Sequence, residues 1–412
     1  MIKRELYLKK IRSLIGKDII KVLTGIRRCG KSSMLKLIID ELIEEGINRE
    51  NIILINFESA KYMDIDSSAK LNKLIKNLIC DLKGTIYLFF DEIQNVKNWE
   101  KLINSYRIDL DAEIFITGSN ANLLSGELAT LIAGRYIEIK IYPFSFKESL
   151  KLKKEYDSKK HGLKKYDSKK HDLKKFFLEY LKYGGMPLVL QLNPNEKIDY
   201  LRDLYNSIIL KDIVYRNKIR EVDLFDKLIK FLMDNIGHTF SAKSISKFFK
   251  SENRIVSRDT IYNYLIFLQD ACLIHKVQRE DLIGKKILKI HEKYYFTDHG
   301  FNETIAGKNT ENIAQILENI VYMEFLRHGY EIYVGKINNS EIDFICKKYE
   351  RTIYVQVSYL LASKKTVERE FNSLLKIKDN HEKIIISMDE VNFSQKGIKH
   401  LNIIDFLKSS DF

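Results

Sequence analysis

The chain has few of the residues on which specialised protein classes depend. Its 412 residues include 3 prolines and 18 glycines, which excludes a collagen-like or proline-rich chain. The four cysteines lie far apart and form no CxxC pair, so neither a zinc knuckle nor a disulfide framework is indicated. No apolar run approaches the roughly 20 residues of a membrane-spanning helix, and the charged N-terminus lacks the apolar core of a secretory signal. We therefore expect a cytoplasmic protein with no membrane partner.

Composition and length indicate a globular protein of more than one domain. Apolar residues make up 45% of the chain and charged residues 30%, which are globular proportions. At about 150 residues per domain, the length corresponds to two or three units. The net charge is +13, which would suit a polyanionic partner if the charge lay in a folded domain.

Much of that charge lies in one lysine-rich stretch, residues 151–175. A ten-residue segment, 156–165, is repeated with one substitution at 166–175. The stretch contains 11 lysines and 4 acidic residues, more than half of the net excess of +13. Ten residues turn a helix through about 1000°, so the two copies share no apolar stripe. We expect a solvated, mobile insertion, and the overall charge is therefore weak evidence for nucleic acid.

Before residue 142, short apolar runs alternate with amphipathic stretches. The runs cover residues 19–23, 52–57, 86–90, 114–117 and 136–141. They are rich in β-branched and aromatic residues, and helical patterns separate them. This alternation predicts an α/β domain with a parallel sheet.

A phosphate-loop pattern follows the first of these runs. The pattern GxxxxGK[ST] is matched, with Ser33 directly after it, by Gly25, Ile26, Arg27, Arg28, Cys29, Gly30, Lys31 and Ser32. Backbone amides of such a loop converge on a phosphate, the lysine reaches the β and γ phosphates, and the hydroxyl of Ser32 can ligate Mg²⁺. An ordinary glycine turn between strand and helix is the alternative.

An acidic pair follows the third apolar run. Asp91 would hold Mg²⁺ and Glu92 would orient or deprotonate the attacking water. Simple solvation of a strand end is the alternative. The next strand ends at Ile116-Thr117-Gly118-Ser119-Asn120, where polar side chains could sense a γ phosphate or position water. An ordinary polar strand terminus is an equal alternative.

Arg135 is the candidate for an arginine that neutralises charge in the transition state, in cis or across a subunit boundary. A surface salt bridge is the alternative, and Arg27 and Arg28 are other candidates for the same role.

In combination these motifs resemble a known family. The strings GIRRCGKSS, FFDEIQNVKNWEKL, FITGSN, AGRY, YGGMP and LKDIVYRNKIR resemble those of prokaryotic AAA-type (AAA+-related) P-loop ATPases, which carry a C-terminal domain of uncharacterised function. The resemblance implies ATP and Mg²⁺ as cofactors. It also implies a sheet in which another strand lies between the loop strand and the Asp91 strand.

Residues 221–304 read as a winged helix. Helical patterns at 241–249 and 257–268 precede a hairpin with arms at 274–277 and 294–296, and the second helix could enter a major groove. The residues expected near DNA are Arg254, Arg258, Tyr262, Asn263, Lys285 and Lys286. A packing module that touches no DNA is an equal alternative.

The C-terminal part resembles the restriction-endonuclease-like fold. From residue 313 the pattern is helix, strand, strand, helix, strand, with Glu318 on the first helix and Asp343 near a strand. Gln356 and Ser358 stand where that fold has a metal-binding glutamate and a lysine. An amide is a poor Mg²⁺ ligand and serine supplies no cation, so we do not expect nuclease activity.

The predicted organisation has five segments. They are an ATPase domain (1–150), the insertion (151–175), a helical lid (176–220), the winged helix (221–304) and an inactive nuclease-like α/β domain (305–412). The main hypothesis is an ATP hydrolase whose cycle moves the winged-helix and nuclease-like half. A nucleotide-switched DNA-binding regulator and an ATP-gated nuclease are the alternatives, and a homo-oligomer is left open.

Overall fold

The computed structural model describes most of the chain and divides it into two compact units. The described residues are 2–119, 134–161, 170–239, 241–284, 286–307 and 312–409. The first unit comprises Met1–Pro143 with Asp270–Cys272, and the second comprises Phe144–Gln269 with Leu273–Phe412. In the part of the chain so described, no helix is long and apolar enough to cross a membrane.

The first unit is built on a five-stranded parallel sheet. Its strands are β1 (Ile20–Thr24), β2 (Ile52–Asn56), β3 (Ile86–Asp91), β4 (Ala112–Gly118) and β5 (Tyr136–Lys140). Its helices are α1 (Glu5–Arg12), α2 (Lys31–Glu44), α3 (Ser68–Ile79) and α4 (Trp99–Asp109). The strands lie in the order β2-β3-β4-β1-β5, and each pair is parallel. The predicted α/β P-loop fold is confirmed, with β4 as the additional strand between β1 and β3.

The strands form because their residues are apolar on both faces. Every residue of β1 and β3 is buried, as expected of a parallel sheet between helices. The rings of Phe89 and Phe115 stack with centroids 4.5 Å apart across β3 and β4. Trp99 at the start of α4 belongs to an apolar core that also contains Phe90 and Ile116.

A buried ion pair joins β1 to β4. Lys21 is fully buried and its ammonium pairs with the carboxylate of Glu113. Glu113 also accepts a hydrogen bond from the amide of Gly16 at 2.8 Å, and Lys21 donates to the carbonyl of Lys17 at 3.2 Å. Both charges are therefore partnered, as burial requires.

The second unit contains helices and a seven-stranded mixed sheet. Its helices are α5 (Phe146–His161), α6 (Lys170–Tyr183), α7 (Pro194–Ser207), α8 (Val222–Asp234), α9 (Ala242–Ser251), α10 (Arg258–Asp270), α11 (Gly300–Ala306), α12 (Ile313–Arg327), α13 (Lys364–Leu375) and α14 (Ile403–Lys408). Its strands are β6 (Ile274–Asp281), β7 (Lys286–Phe296), β8 (Glu331–Ile337), β9 (Ser340–Lys348), β10 (Arg351–Val357), β11 (Glu382–Ser387) and β12 (Lys399–Asn402).

The β6–β7 hairpin is part of the C-terminal sheet. The strand order is β12-β11-β10-β9-β8-β6-β7, and β6 pairs in parallel with β8 through Arg279↔Val334. The sequence predicts a domain boundary at residue 305, but one sheet spans it. β8 pairs with β9 along one edge. Its other edge would carry unpaired backbone groups, and β6 pairs with it there.

The sequence pattern predicts two strands after the first helix of the C-terminal region, whereas the structure has three. The order from α12 is helix, three antiparallel strands (β8, β9, β10), helix α13, and then β11 and β12. The turn between β8 and β9 contains Asn338 with a φ of 52°. This tight reversal hides the strand boundary from a reading of hydrophobic runs.

Two helices extend into the duplicated lysine-rich stretch. α5 continues to residue 161 and α6 begins at residue 170, whereas 162–169 lie outside the described residues. Both ends of the predicted insertion are therefore helical, and the solvated character expected of it agrees with the exposure of Lys151, Lys154, Lys174 and Lys175. Its mobility stays a prediction. Lysine and leucine favour helix, and Lys153 donates to Glu179 at 3.0 Å, which joins the two helices.

The YGGMP turn packs against the residues that begin α11. A Cβ on Gly184, whose φ is +75°, would lie 1.9 Å from Oδ1 of Asp298, so only glycine fits there. Asp298 accepts the amides of Gly185 and Gly300, each at 2.9 Å. Burial raises the pKa of Asp298 to about 6, although these two amides lower it.

We predict that Glu113→Gln destabilises the first unit by about 3 kcal/mol, because it leaves the buried Lys21 ammonium without a countercharge. Fluorescence of Trp99, the one tryptophan of the sequence, reports unfolding of this unit in urea. Glu45→Gln, at an exposed position, is the control. Equal small effects of both changes would contradict the prediction.

Candidate nucleotide site

The predicted phosphate loop connects β1 to α2. Gly25 has a φ of +149°, and a Cβ there would lie 2.1 Å from the carbonyl oxygen of Ile141. Gly30 has a φ of +105° and caps α2 at its N-terminus. Both backbone conformations favour glycine, and the loop ends on the positive end of a helix dipole.

The remaining loop residues divide between the interior and the surface. Ile26 and Cys29 are fully buried, and burial raises the pKa of the Cys29 thiol. Arg28, Ser32 and Ser33 are exposed. Arg27 lies 3.6 Å from Glu58 in an ion pair.

Arg4 supports this loop, although nothing in the sequence pattern singles it out. Its guanidinium is buried and donates to the carbonyl oxygens of Cys29 at 3.4 Å and Tyr142 at 2.9 Å. It also lies over the ring of Tyr7, with 4.5 Å to the ring centroid. The loop is thereby fixed from outside the motif.

Lys31 is a buried cation at the centre of the site. Its Nζ donates to the carbonyl oxygens of Gly25 at 3.1 Å and Ile26 at 3.3 Å, and lies 3.6 Å from Oε1 of Glu92. Burial lowers the pKa of Lys31, but neighbouring negative charge, including Glu92, outweighs burial and raises it. Lys31 therefore stays charged.

Asp91 lies at the end of β3 within a set of hydrogen bonds. Its Oδ1 accepts from Oγ1 of Thr117 at 2.6 Å, and its Oδ2 accepts from Nδ2 of Asn56 at 3.0 Å. The Ser32 side chain also hydrogen bonds this carboxyl. Burial raises the pKa of Asp91, while the Thr117 and Ser32 contacts lower it. The two predicted magnesium ligands, Ser32 and Asp91, are thus in contact.

Glu92 follows in a left-handed conformation with a φ of 58°. Its amide donates to Oγ1 of Thr117 at 2.9 Å, and Nε2 of Gln94 donates to its Oε2 at 2.5 Å. Thr117 belongs to the polar strand end for which the sequence predicts γ-phosphate sensing or water positioning, whereas the sequence gives no role to Gln94. Asn120, which is also predicted at this edge of the sheet, lies outside the described residues.

Arg135 does not lie beside the phosphate loop. It precedes β5, and its carbonyl accepts the amide of Ile20 at the beginning of β1. Because β1 and β5 are parallel, Arg135 is at the edge opposite the loop, roughly 16 Å away along the strands. Its side chain donates to Asn104 at 3.1 Å. The prediction of a finger in cis is therefore wrong, because the arginine stands at the start of its strand.

A buried charge cluster lies in the predicted nuclease-like region. Nζ of Lys293, on β7, is 2.9 Å from Glu318 and 2.8 Å from Glu341. Tyr295 donates to Glu318 at 2.5 Å. Burial and the charge of Glu318 raise the pKa of Asp343 well above its usual range, whereas Lys293 lowers it.

The side chains at other positions of the predicted nuclease-like site accept hydrogen bonds from backbone amides. Oε1 of Gln356 accepts the amide of Asp343 at 3.3 Å, and Oδ2 of Asp343 accepts the amide of Val357 at 2.8 Å. Among the described residues, no group of three histidine, cysteine or acidic side chains is arranged to hold a metal ion. Lys293 is the buried cation beside these carboxylates, and Arg279 also pairs with Glu341, at 3.4 Å. The sequence does not predict the role of Lys293, because this residue belongs to the hairpin.

Most of the residues expected near DNA are exposed. Arg258, Tyr262, Asn263 and Lys286 are exposed, and Lys285 lies outside the described residues. Arg254 pairs with Asp223 at 2.5 Å. α9 adds three exposed lysines on one face, Lys243, Lys247 and Lys250.

Two family models match the chain. A family described as an AAA domain matches residues 17–150, which include the phosphate loop and the acidic pair. A domain of unknown function (DUF8612) matches residues 174–312.

Relatives match both units. An uncharacterized protein of Haemophilus influenzae is 40% identical over 99% of this chain and 98% of its own length. The uncharacterized protein MJ1544 of Methanocaldococcus jannaschii is 32% identical over 94% of this chain and 85% of its own length. Among solved structures, the Walker-type ATPase PABY2304 of Pyrococcus abyssi has a TM-score of 0.49 and 16% identity, covering 74% of this chain and 95% of that one.

We predict that Lys293→Met destabilises the second unit by about 3 kcal/mol at pH 8, because buried carboxylates lose their countercharge. Without Lys293 the folded-state pKa of Asp343, which Lys293 lowers, rises further. The loss should shrink as the pH falls toward 5 and this carboxylate takes up a proton. Thermal unfolding at both pH values tests this, with the exposed Lys286→Met as the control. A loss independent of pH would contradict it.

Proposed function

We propose that this chain, which belongs to the family of its Haemophilus influenzae relative and matches an AAA domain over residues 17–150, binds ATP with Mg²⁺ and hydrolyses it. One observation carries the proposal. Lys31 and Ser32 of the phosphate loop contact the acidic pair Glu92 and Asp91, respectively. A phosphate-binding cation, a metal-binding oxygen pair and a base thus meet at the carboxyl edge of a parallel sheet.

ATP would bind through the loop between β1 and α2. The glycine backbone at Gly25 and Gly30 lets amide groups face the phosphates, and the N-terminus of α2 adds a positive dipole. Lys31 already carries its charge in the site. Its present acceptors are two carbonyls and Glu92, and the more strongly charged β and γ phosphates would compete for it.

Ser32 and Asp91 fit a magnesium ion. A hydroxyl and a carboxylate are the hard oxygen donors that Mg²⁺ takes, and here the two side chains already hydrogen bond each other. Thr117 and Asn56 fix the orientation of Asp91 from either side. The bound ion would neutralise negative charge on the phosphate oxygens during transfer.

Glu92 is the base in this proposal. The water oxygen forms a bond to the γ phosphorus while the bond from that phosphorus to the ADP oxygen breaks, and ADP leaves with the electron pair. Glu92 takes the proton that the water loses. Thr117 supports this role, because it holds the Glu92 amide and the Asp91 carboxylate together.

We further propose that hydrolysis is coupled to the second unit. The Haemophilus influenzae relative matches 99% of the chain, so both units occur together in that protein. A nucleotide site without a mechanical or regulatory partner would not require the second unit.

We predict that Lys31→Met abolishes ATP binding, because it removes the buried cation that faces the phosphates. Glu92→Gln should keep ATP affinity while its turnover falls about 100- to 10,000-fold, as expected when a general base is lost. Phosphate release and equilibrium binding of a fluorescent ATP analogue measure both. Lys36→Met, exposed on the same helix, is the control. Wild-type turnover no faster than that of Glu92→Gln would refute hydrolysis.

DNA binding by a nucleotide-switched regulator is a second candidate function. Lys243, Lys247 and Lys250 are exposed and recur at helical spacing on α9, as in a face that follows a phosphate backbone. The exposed surface of α10 is less basic, since it also presents Tyr262 and Ile266. The lysines therefore support contact with phosphates better than they support base readout.

We predict that the triple change of Lys243, Lys247 and Lys250 to glutamine weakens binding to a short labelled DNA duplex. The slope of log affinity against log salt should become smaller by about 2 to 3, since each phosphate contact contributes about 0.9. Titrations at several salt concentrations measure it, and DNA should stimulate the ATPase. Unchanged affinity and slope in the triple variant, or no binding by wild type at low salt, would exclude this face.

A further inference from the structure

A side chain two residues after Glu92 contacts the proposed base. Gln94 lies in the short helical turn Ile93–Asn95 that follows the acidic pair. Its Nε2 donates to Oε2 of Glu92 at 2.5 Å. A carboxylate can only accept hydrogen bonds, so the amide must turn its nitrogen toward Glu92 and its oxygen away.

The amide oxygen of Gln94 is left without a donor. Among the described residues, no group donates to this buried Oε1. Buried polar atoms in folded proteins nearly always have a partner, and an unpaired acceptor is costly. Since this oxygen is inaccessible to water, the polar contact through which Gln94 acts is the one from its Nε2 to Glu92.

The two oxygens of Glu92 have different partners. Oε1 lies 3.6 Å from Nζ of Lys31, while Oε2 is held by Gln94. If phosphates draw Lys31 away, Oε1 loses its ion pair and becomes free to accept a proton. The bond to Gln94 does not involve the phosphate loop, so it can persist when nucleotide binds.

We propose that Gln94 is a positioning residue for ATP hydrolysis: its Nε2 holds Oε2 of Glu92 and so fixes the carboxylate that faces the attacking water. Glu92 then takes a proton from that water while the water oxygen bonds to the γ phosphorus and the bond from that phosphorus to the ADP oxygen breaks. This inference rests on the proposed ATPase function. Gln94 contacts no phosphate in this scheme, so it affects the rate of hydrolysis and leaves ATP affinity unchanged.

Gln94→Met tests the proposal because it keeps the size of the side chain and removes both polar atoms. Turnover should fall about 10- to 100-fold, the scale expected for a misplaced catalytic group, while the dissociation constant for a fluorescent ATP analogue stays unchanged. Gln94→Glu, which cannot donate when ionised, should show the same split. Asn95→Ala, at an exposed position in the same turn, should match wild type in both measurements.

The results distinguish a failure of the positioning role from a failure of the proposed ATPase function. Wild-type turnover in both Gln94 variants, or equal losses of turnover and ATP affinity, would overturn the positioning role while ATP hydrolysis stands. Wild-type turnover no faster than that of Glu92→Gln would overturn the proposed function and this inference together. Fluorescence of the buried Trp99 identifies a variant that has lost the fold, in which case the other Gln94 variant decides.

Discussion

The hydroxyl of Thr117 connects the acidic pair to the strand beside it. It donates to Asp91 and accepts the amide of Glu92, so one side chain orients a carboxylate and the backbone of the next residue. Thr117 can do this because β4 lies between β1 and β3. The rest of the site depends on this arrangement, since it brings the loop after β1 and the acids after β3 to the same edge.

Contiguous motifs made part of this site predictable. The phosphate loop and the acidic pair are each specified by neighbours in sequence, and the parallel sheet brings Ser32 and Asp91 together without further information. The apolar runs likewise predict the strands of the first unit to within about two residues. These features follow from local chemistry and from the geometry of parallel strands.

Other contributors depend on contacts between distant segments. Arg4 contacts Cys29 of the loop, 25 residues further along the chain. Lys293 on β7 contacts Glu318 on α12, also 25 residues away in the sequence. No pattern marks either residue as different from a surface cation. Arg135 is the opposite case, because a conspicuous arginine motif stands at the end of its strand away from the phosphate loop of the same chain. Its role across a subunit boundary stays a prediction. The hairpin is a similar case. The alternation of apolar and polar residues within β6 and β7 does not indicate that β6 pairs with β8.

The clamp formed by Arg4 also has a consequence for the order of events during synthesis. Its guanidinium joins the carbonyl of Cys29 to that of Tyr142, and residue 142 leaves the ribosome long after the loop itself. At translation speeds of about 5 to 20 residues per second, the loop would wait several seconds for the carbonyl that completes its support. In a nascent chain, Arg4 can therefore join the phosphate loop to Tyr142 only when almost the whole first unit has emerged.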